Sequence, residues 1–216
     1  MRLGSVAVKT VMLAGVGVKR IMIGGAEAWS AVKDLLTGSG FTIWDDFEAS
    51  TINTAIWSGS GGLISGGELK KNTANGTGSY WTISQFGSDD ITVEVQLGTV
   101  TDQNQRSSVL LGSTAQYIYV EFSGSFGVLG DYNGSTWTSR NDFGGRTWKA
   151  GDRIKLIRSG DSLTLYQNTT VIATASSTVA KGTAFRRLGL DVRRDSNPFG
   201  TYYSPTFEVA GGYLTG

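Results

Sequence analysis

The sequence predicts an all-β chain, built as an antiparallel β-sandwich with a short β-repeat in front of it. Three observations support this fold class. The 216 residues include 31 glycines, two prolines and only 17% charged residues, a composition that favours sheets and turns over helices. From Phe41 onward, short runs of alternating character recur about every ten residues between Gly, Asn and Asp. The first part of the chain repeats itself at a period of ten.

The N-terminal repeat aligns residues 6–15 with residues 16–25. Each copy reads Val-x-Val-Lys, then a basic or polar residue, three apolar positions and a Gly, which predicts two short strands joined by a glycine turn. A β element of this size cannot bury its own apolar face, so we expect it to dock on other chains. The predicted docking and oligomerisation residues are Val6, Val8, Val11, Leu13, Val16, Val18, Ile21, Ile23 and Trp29.

The segment after the repeat predicts a domain boundary. Residues 26–29 have the pattern of a frayed end of the repeat, and residues 28–36 favour one or two helical turns. Thr-Gly-Ser-Gly at residues 37–40 is typical of a flexible linker. We therefore expect an N-terminal element at residues 1–36 and a larger domain at residues 41–216.

A signal peptide ending near residues 26–28 is the alternative for the N-terminal segment. Lys9, Lys19 and Arg20 interrupt the apolar stretch that such a peptide requires, so we expect none. No run approaches the roughly 18 apolar residues of a transmembrane helix.

Several strands of the larger domain follow from alternation. Residues 91–97 place apolar side chains at odd positions only, which predicts a strand with one buried face. Residues 117–122 are apolar on both faces, as in a central strand. Residues 153–158, 162–167 and 171–175 predict a three-strand meander.

The second half of the domain gives two further local predictions. Leu188, Leu190 and Val192 are expected to point inward, while Arg187, Asp191 and Arg193 point outward. The dipeptides at residues 75–76 and 133–134, both Asn-Gly, predict hairpin turns.

Composition excludes several kinds of chemistry. With neither Cys nor His, the chain has no Ser-His-Asp or Cys-His nucleophile, no His-ligated metal site and no disulfide. A formal net charge of +1 gives no field that would recruit nucleic acid or an anionic membrane.

Several segments of the larger domain together carry a resemblance. They are Asp-Asp-Phe at residues 45–47, Trp57, Gly-Glu-Leu at residues 67–69, residues 151–166, Leu-Gly-Leu at residues 188–190 and Phe-Glu-Val at residues 207–209. This pattern resembles the concanavalin A-like lectin and glucanase jelly roll, of the laminin-G-like kind. The resemblance implies a two-sheet sandwich that either binds or cleaves carbohydrate.

The N-terminal units, Leu-Gly and Val-Lys-x-Ile-x-Ile-Gly ending at Trp29, are similar to the opening of minor tail proteins from siphophages of actinobacteria. The resemblance implies a virion protein of the phage tail, made in the bacterial host cytoplasm, whose partners are other tail proteins and its own copies. Trimers are expected by analogy with tail fibres. The displayed domain would bind host cell-surface carbohydrate or, alternatively, serve only as a structural decoration.

Glycan hydrolysis is the third alternative, and the carboxylates disfavour it. Glycosidases need two carboxylates that flank the scissile bond, and the resemblance implies both on one strand in a Glu-x-Asp-x-(x)-Glu spacing. Glu94 is followed by Gln96 on its face, and Glu121 stands alone. Asp191 and Asp195, each beside an arginine, are interpreted as solvated carboxylates. We therefore predict no enzymatic activity and no catalytic residues.

Aromatic residues between the predicted strands favour sugar binding, because aromatic faces stack on the C–H surfaces of sugars. Core packing is the alternative, and it is favoured for Trp57, Trp81 and Trp148. The predicted carbohydrate-binding residues are Tyr132, Trp137, Trp148, Tyr202 and Tyr203.

No cofactor or metal is predicted. The resemblance leaves open a calcium ion held by oxygens of the rim loops, with Asp142 and Asn141 or Asp195 and Asn197 as ligands. Neither pair has a spacing specific for the metal.

Overall fold

A computed structural model describes residues 12–13, 16–17, 20–23, 26–30, 41–45, 47, 49–71, 76–83, 85–98, 105–123, 126–194 and 209–215. The chain divides into two compact units, Met1–Phe41 and Thr42–Gly216. The predicted linker at residues 37–40 lies outside the described residues.

The N-terminal unit contains two antiparallel strand pairs. Strand β1 (Met12–Leu13) pairs with β2 (Val16–Gly17), and β3 (Arg20–Ile23) pairs with β4 (Ala26–Ser30). The apolar docking residues predicted from the repeat lie outside the side chains that the structure describes.

Strand β4 corrects two sequence predictions. A frayed end at residues 26–29 and a helix starting at residue 28 are both wrong, because residues 26–30 pair with β3, Ile21 lying opposite Trp29. Pairing with β3 supplies backbone hydrogen bonds to residues 26–30. A helix of one or two turns has an unfavourable free energy of nucleation, and it has few internal hydrogen bonds to offset this. Residues 31–36 lie outside the described part of the chain.

The larger unit is a sandwich of two antiparallel sheets, which confirms the predicted fold class. The strands of the first, seven-stranded sheet are β6 (Trp57–Ser60), β9 (Gly76–Thr82), β11 (Gln105–Gly112), β12 (Tyr117–Ser123), β13 (Phe126–Tyr132), β14 (Trp137–Phe143) and β18 (Arg187–Arg194). Their order across the sheet is β14-β13-β12-β11-β18-β9-β6.

The second sheet has eight strands, and they too are arranged across the sheet in an order that differs from their order in the chain. The strands are β5 (Phe41–Asp45), β7 (Gly62–Ile64), β8 (Leu69–Lys71), β10 (Ile91–Leu97), β15 (Arg153–Ser159), β16 (Ser162–Gln167), β17 (Thr170–Ser176) and β19 (Val209–Thr215). They run β17-β16-β15-β10-β19-β8-β7, and β5 also pairs with β19. The predicted meander is thus confirmed as β15, β16 and β17.

The core lies between the inner faces of the two sheets. Along β10 every second side chain is buried and the others are half-buried, as its alternation predicted. On β18, Leu188, Leu190 and Val192 face the core, again as predicted. On β12 the core side chains are Ile118, Val120 and Phe122, so the alternate residues of β12 face outward.

Side-chain hydrogen bonds join the two sheets along one edge. Asn141 on β14 donates from Nδ2 to the Thr174 carbonyl oxygen on β17 at 2.9 Å. Ser177, just beyond β17, donates to Asp131 Oδ2 on β13 at 2.6 Å, and Arg140 Nε donates to the same oxygen at 2.7 Å. These bonds fix the β13–β14 hairpin against the second sheet.

A buried carboxylate organises the start of the larger unit. Asp45 Oδ2 accepts a hydrogen bond from Trp57 Nε1 at 2.8 Å, and its Oδ1 accepts one from the Phe47 backbone N–H at 2.9 Å. Phe47 has a φ of 52°, a left-handed conformation that this bond helps to hold. The rings of Phe47 and Trp57, both fully buried, lie 6.0 Å apart.

Helical structure in the described residues is limited to a single 3-10 turn, Thr183–Phe185 (η1). None of those residues forms a helix with the length and apolarity that crossing a bilayer requires.

Replacement of the organising carboxylate, Asp45→Ala, should lower the free energy of unfolding by about 2–4 kcal/mol, because two buried N–H groups lose their acceptor. Urea denaturation followed by tryptophan fluorescence measures it. The control is Asp161→Ala, which removes a surface ion pair with Lys181 and should change the free energy of unfolding by about 0–1 kcal/mol. Equal losses in the two variants would contradict the role given to Asp45.

Candidate functional site

A cleft of about 450 Å³ lies on the outer face of the seven-stranded sheet. Six of its strands contribute side chains, and the lining combines aromatic rings with polar and charged groups. The lining residues are Thr77, Ser108, Leu110, Tyr117, Tyr119, Glu121, Val128, Trp137, Asp191 and Arg193.

Strand register gathers the polar residues of the cleft into one row. Ser108 on β11 lies opposite Glu121 on β12 and opposite Asp191 on β18, and Asp191 in turn lies opposite Ser79 on β9. Two strand spacings therefore separate the Cα atoms of Glu121 and Asp191, about 9.5 Å. Glu121 is the one carboxylate on its own strand, as the sequence indicates, and Asp191, 70 positions away in the chain, joins its row only through the pairing of strands.

A second row holds a fixed aromatic surface. The Tyr132 and Trp137 rings are stacked, with centroids 4.4 Å apart and planes at 28°. Trp137 Nε1 donates a hydrogen bond to the Tyr117 hydroxyl at 3.1 Å. The Trp137 side chain is nevertheless 62% exposed, so an indole ring is held in one orientation and presented to solvent.

The aromatic strip, defined as Trp137, Tyr132, Tyr117 and Trp81, continues this surface across the sheet. The Tyr117 ring lies 5.1 Å from that of Tyr132 and 6.0 Å from that of Trp81. The strip thus runs from β14 at the sheet edge to β9 beyond β18.

A tight turn positions the first two rings of the strip. Asn133 Oδ1 accepts hydrogen bonds from the backbone N–H groups of Ser135 and Thr136, each at 3.0 Å. Gly134 has a φ of 100°, a conformation that glycine adopts without strain. The predicted Asn-Gly hairpin turn is confirmed here, and it sets Tyr132 directly opposite Trp137. The hairpin predicted at residues 75–76 is wrong, because β8 and β9, the strands on either side of it, lie in different sheets and do not pair with each other.

Two glycines let aromatic rings lie close to the sheet. A Cβ atom on Gly130 would stand 2.5 Å from the Thr138 carbonyl oxygen and 2.6 Å from Cζ and the hydroxyl oxygen of Tyr119. One on Gly189 would stand 2.9 Å from Leu110 Cβ and 3.0 Å from the Trp81 ring. Glycine at these two positions therefore lets the rings lie against the sheet.

Asp191 is the electrostatically unusual group of the cleft. Burial raises the pKa of its carboxyl group, and the negative charge of Glu121 raises this pKa further. A hydrogen bond from Ser79 and the positive charge of Arg193 lower the pKa in part. The interpretation of Asp191 as a solvated carboxylate is therefore wrong. Partly buried carboxyl groups with shifted pKa values occur most often at functional sites.

The tyrosines of the cleft stay protonated at neutral pH. Burial raises the pKa of both Tyr117 and Tyr119, and nearby carboxylates add to the effect. The phenol of Tyr119 thus presents a hydrogen-bond donor to the cleft, while that of Tyr117 accepts from Trp137.

Of the predicted carbohydrate-binding residues, Tyr132 and Trp137 lie together at the cleft. Trp148 does not: it is 6% exposed and packs edge-on against Phe122 and Phe143, so the prediction that it contacts sugar is wrong and core packing is the correct alternative. Trp57 is buried in the core, as predicted, whereas Trp81 is buried within the aromatic strip on the outer face of the sheet. Tyr202 and Tyr203 lie outside the described residues.

The cleft also uses residues that the sequence analysis did not select. They are Tyr117, Tyr119 and Glu121 on β12, and Ser108 and Asp191 on the neighbouring strands. The signal for three of them is the polar groups of Tyr117, Tyr119 and Glu121 at alternate positions of β12, which corrects the interpretation of residues 117–122 as apolar on both faces.

Neither candidate calcium pair forms a described metal site. Asn141 donates to the Thr174 carbonyl oxygen, and Asp142 accepts a hydrogen bond from Ser139. Asp195 and Asn197 lie outside the described residues, and within the described part no group of three or more acidic side chains is placed to hold a metal.

The fold is shared with carbohydrate-active proteins of known structure. A Bacillus licheniformis beta-glucanase superposes with a TM-score of 0.61 at 11% identity, covering 83% of this chain and 100% of that one. LamA from Zobellia galactanivorans, in complex with laminaritriose and laminaritetraose, gives 0.60 at 11% identity, over 82% and 99% of the two chains. A carbohydrate-binding module from Bacillus subtilis gives 0.52 at 10% identity, over 73% and 99%.

No family model and no curated protein matches the sequence. The structural similarity shows that the larger unit has the jelly-roll sandwich fold that the sequence resemblance implied.

The buried carboxyl group gives a prediction about stability. Because its pKa is raised on folding, the native state keeps the Asp191 proton to higher pH than the unfolded chain, and stability falls as pH rises through that interval. The Asp191→Asn variant has no group to ionise at this position, so it does not lose stability in this way as the pH rises. We expect its Tm to exceed the wild-type value at pH 7 by about 2 °C or more, and the difference to vanish near pH 3.

Thermal unfolding across this pH range measures the difference. Asp142→Asn, at an exposed carboxylate of β14, should leave Tm within about 1 °C at every pH. An Asp191→Asn variant less stable than wild type at neutral pH would contradict the prediction.

Proposed function

We propose that the larger unit binds carbohydrate in the cleft of the seven-stranded sheet. The observation that carries this proposal is the Trp137 indole, which is 62% exposed yet held by stacking on Tyr132 and by a hydrogen bond to Tyr117. A ring fixed before binding loses little conformational freedom when a ligand stacks on it.

The chemistry of the surrounding groups suits a sugar. One face of an aromatic ring carries partial negative charge that attracts C–H groups, and the axial hydrogens of a sugar ring supply such groups. Ser108, Thr77 and Tyr119 add neutral hydroxyls to the cleft, and Glu121 and Arg193 add an acceptor and a donor. A site that is partly apolar with a few polar groups is the common form of a small-ligand site.

Similarity of fold supports the same class of ligand. Structures that superpose on this chain include a carbohydrate-binding module and a glucan-degrading enzyme. From these structures we infer only the class of ligand, which is carbohydrate.

Binding without hydrolysis is the form of the function that we propose. The outward positions of β12 hold Tyr117, Tyr119 and Glu121, so a single strand supplies one carboxylate and two phenols. Glu121 and Asp191 share a row but sit on strands separated by β11. We propose that both act as hydrogen-bonding groups for the ligand.

We further propose that the N-terminal unit attaches this domain to a phage tail as an oligomer. Two-stranded sheets of the size of β1–β2 and β3–β4 are marginal alone and gain stability from a partner. Several copies on one particle would raise a weak sugar affinity through avidity.

Truncation of the ring, Trp137→Ala, should weaken binding of a glycan identified on an array by about tenfold or more, which corresponds to about 1.4 kcal/mol. Isothermal titration calorimetry measures the loss. Tyr166→Ala is the matched control, because Tyr166 is an aromatic residue on the outer face of the opposite sheet, where Lys155 covers its ring.

Two results would count against this function. Absence of binding to every glycan on the array would leave only a structural role for the domain. Release of reducing ends from the bound glycan, abolished by Glu121→Gln, would show hydrolysis instead of binding alone.

Removal of residues 1–36 should convert the oligomer to a monomer in analytical ultracentrifugation and abolish incorporation into phage particles. Affinity for a soluble glycan should stay unchanged, while retention on a surface dense in that glycan should fall by about 10²-fold or more. A truncated chain that remains oligomeric would place the assembly contacts in the jelly roll.

A further inference from the structure

Strand β7 ends the eight-stranded sheet, and β8 is its one neighbour among the described strands of that sheet. The pairing places Leu63 opposite Lys70 and Ile64 opposite Leu69. In an antiparallel pair, residues that exchange hydrogen bonds alternate with residues whose N–H and C=O groups point away from the neighbouring strand. This alternation decides which backbone groups the edge offers to another chain.

Hydrogen bonds at both ends of β7 fix the alternation. Ser65 N–H donates to the Glu68 carbonyl oxygen at 3.0 Å, so these two residues form a hydrogen-bonded pair. Gly62 instead turns its backbone to the Tyr80 hydroxyl, which accepts from its N–H at 3.0 Å and donates to its carbonyl oxygen at 3.2 Å. Ile64, two residues from Gly62, therefore also directs its N–H and C=O groups away from β8.

The two outward residues of β7 differ in whether a partner is present. Tyr80 satisfies both backbone groups of Gly62. Within the described part of the chain, no hydrogen-bond partner lies at the outward groups of Ile64. The edge thus presents one donor and one acceptor to an added strand at this residue.

A pocket of about 260 Å³ lies beside this edge. It is lined by β7, by residues 50–52 and by the core side chains of Leu69 and Tyr80. Leu69 and Tyr80 belong to different sheets, so the pocket opens into the space between the sheets. A cavity of roughly 150 Å³ in a protein core accommodates benzene, so this pocket has room for a large apolar side chain. Leu63 is 39% exposed beside it and adds apolar surface.

The same edge carries a positive charge. Lys71 on β8 lies opposite Gly62 and donates from Nζ to the Gly61 carbonyl oxygen at 2.6 Å. No carboxylate of the described residues forms an ion pair with Lys71, whereas Lys70 is paired with Glu68 at 2.9 Å. A carboxylate on a bound chain would be attracted to Lys71, and a cation would be repelled.

We propose that the β7 edge binds an extended peptide segment of a partner protein that carries a large apolar residue and, two to four residues away, Asp or Glu. The peptide backbone pairs with Ile64, its apolar side chain enters the pocket, and its carboxylate pairs with Lys71. The spacing follows from the strand, because Ile64 and Gly61 are about 10 Å apart along it. This site shares no lining residue with the cleft, so it goes beyond carbohydrate binding.

Two other sheet ends are less suited to adding a strand. The register of β14 against β13 shifts between Leu129 and Gly130, and that of β17 against β16 shifts between Leu165 and Tyr166. Such bulges twist an edge away from a new partner. β7 pairs with β8 without a shift.

The test begins with selection of a random heptapeptide library on the full chain. Selected peptides should combine Leu, Ile or Phe with Asp or Glu at the stated spacing. One of them, labelled with fluorescein, then serves as the probe, and fluorescence anisotropy measures its affinity. Failure to select any peptide, or selection of apolar peptides without an acidic residue, would overturn the proposal.

Ile64→Pro tests the backbone contact. Proline removes the N–H that points away from β8 and leaves the pairing of β7 with β8 intact. It should weaken binding of the labelled peptide by about tenfold or more, because the hydrogen bond is lost and the proline ring occupies its place. Dimerisation of the chain that Ile64→Pro abolishes would assign the edge to a second copy and overturn the proposal.

A charge exchange tests the ion pair and decides the matter if Ile64→Pro fails to fold. Lys71→Glu should weaken binding about fivefold or more, and a peptide with Lys in place of its acidic residue should recover most of that loss. Lys149→Glu, at an exposed lysine before β15, is the matched control and should bind like wild type. Equal binding by the Lys71 and Lys149 variants, or no recovery with the exchanged peptide, would contradict the site.

Discussion

The two-residue period of the strands is the constraint on which the rest of the larger unit depends. On β18 it commits Leu188, Leu190 and Val192 to the core, and it thereby commits Arg187 and Asp191 to the opposite face. A shift of one residue would expose three apolar side chains and bury charged ones. The hydrophobic core therefore fixes the position of the polar groups in the cleft.

The cleft is shaped by small residues as much as by large ones. Gly130 and Gly189 leave the space in which the Tyr119 and Trp81 rings lie along the sheet. The hydrogen bonds of Asn133 hold the hairpin that sets Trp137 over Tyr132. The aromatic side chains of the outer face thus have fixed contacts, as core side chains do, although the Trp137 ring remains exposed to solvent. Such preorganisation reduces the entropic cost of binding.

Local patterns in the sequence predicted the sandwich, the meander, the inward face of β18 and the Asn133 turn, because each depends on alternation or on turn chemistry within a few residues. The sequence could not predict that Glu121 and Asp191 lie in one row. The row forms only because β11 pairs with both β12 and β18, which are distant in the chain. The prediction that Trp148 contacts sugar fails for a related reason. Its position between predicted strands suggested an exposed ring, but the ring packs against Phe122 and Phe143, and the sequence does not show how their strands pack.

The fold treats two of its buried carboxyl groups, those of Asp191 and Asp45, in different ways. Burial disfavours the charged form of Asp191, and its Oδ1 gains no compensating bond from the described protein. Asp45 differs, because its two oxygens accept hydrogen bonds from Trp57 and from the backbone of Phe47. The two aspartates belong to one domain and differ in whether the fold completes their hydrogen bonds. Asp45 is completed from within the protein, which makes it a structural group. Asp191 is completed only in part, by the hydrogen bond from Ser79, and its burial keeps its pKa raised.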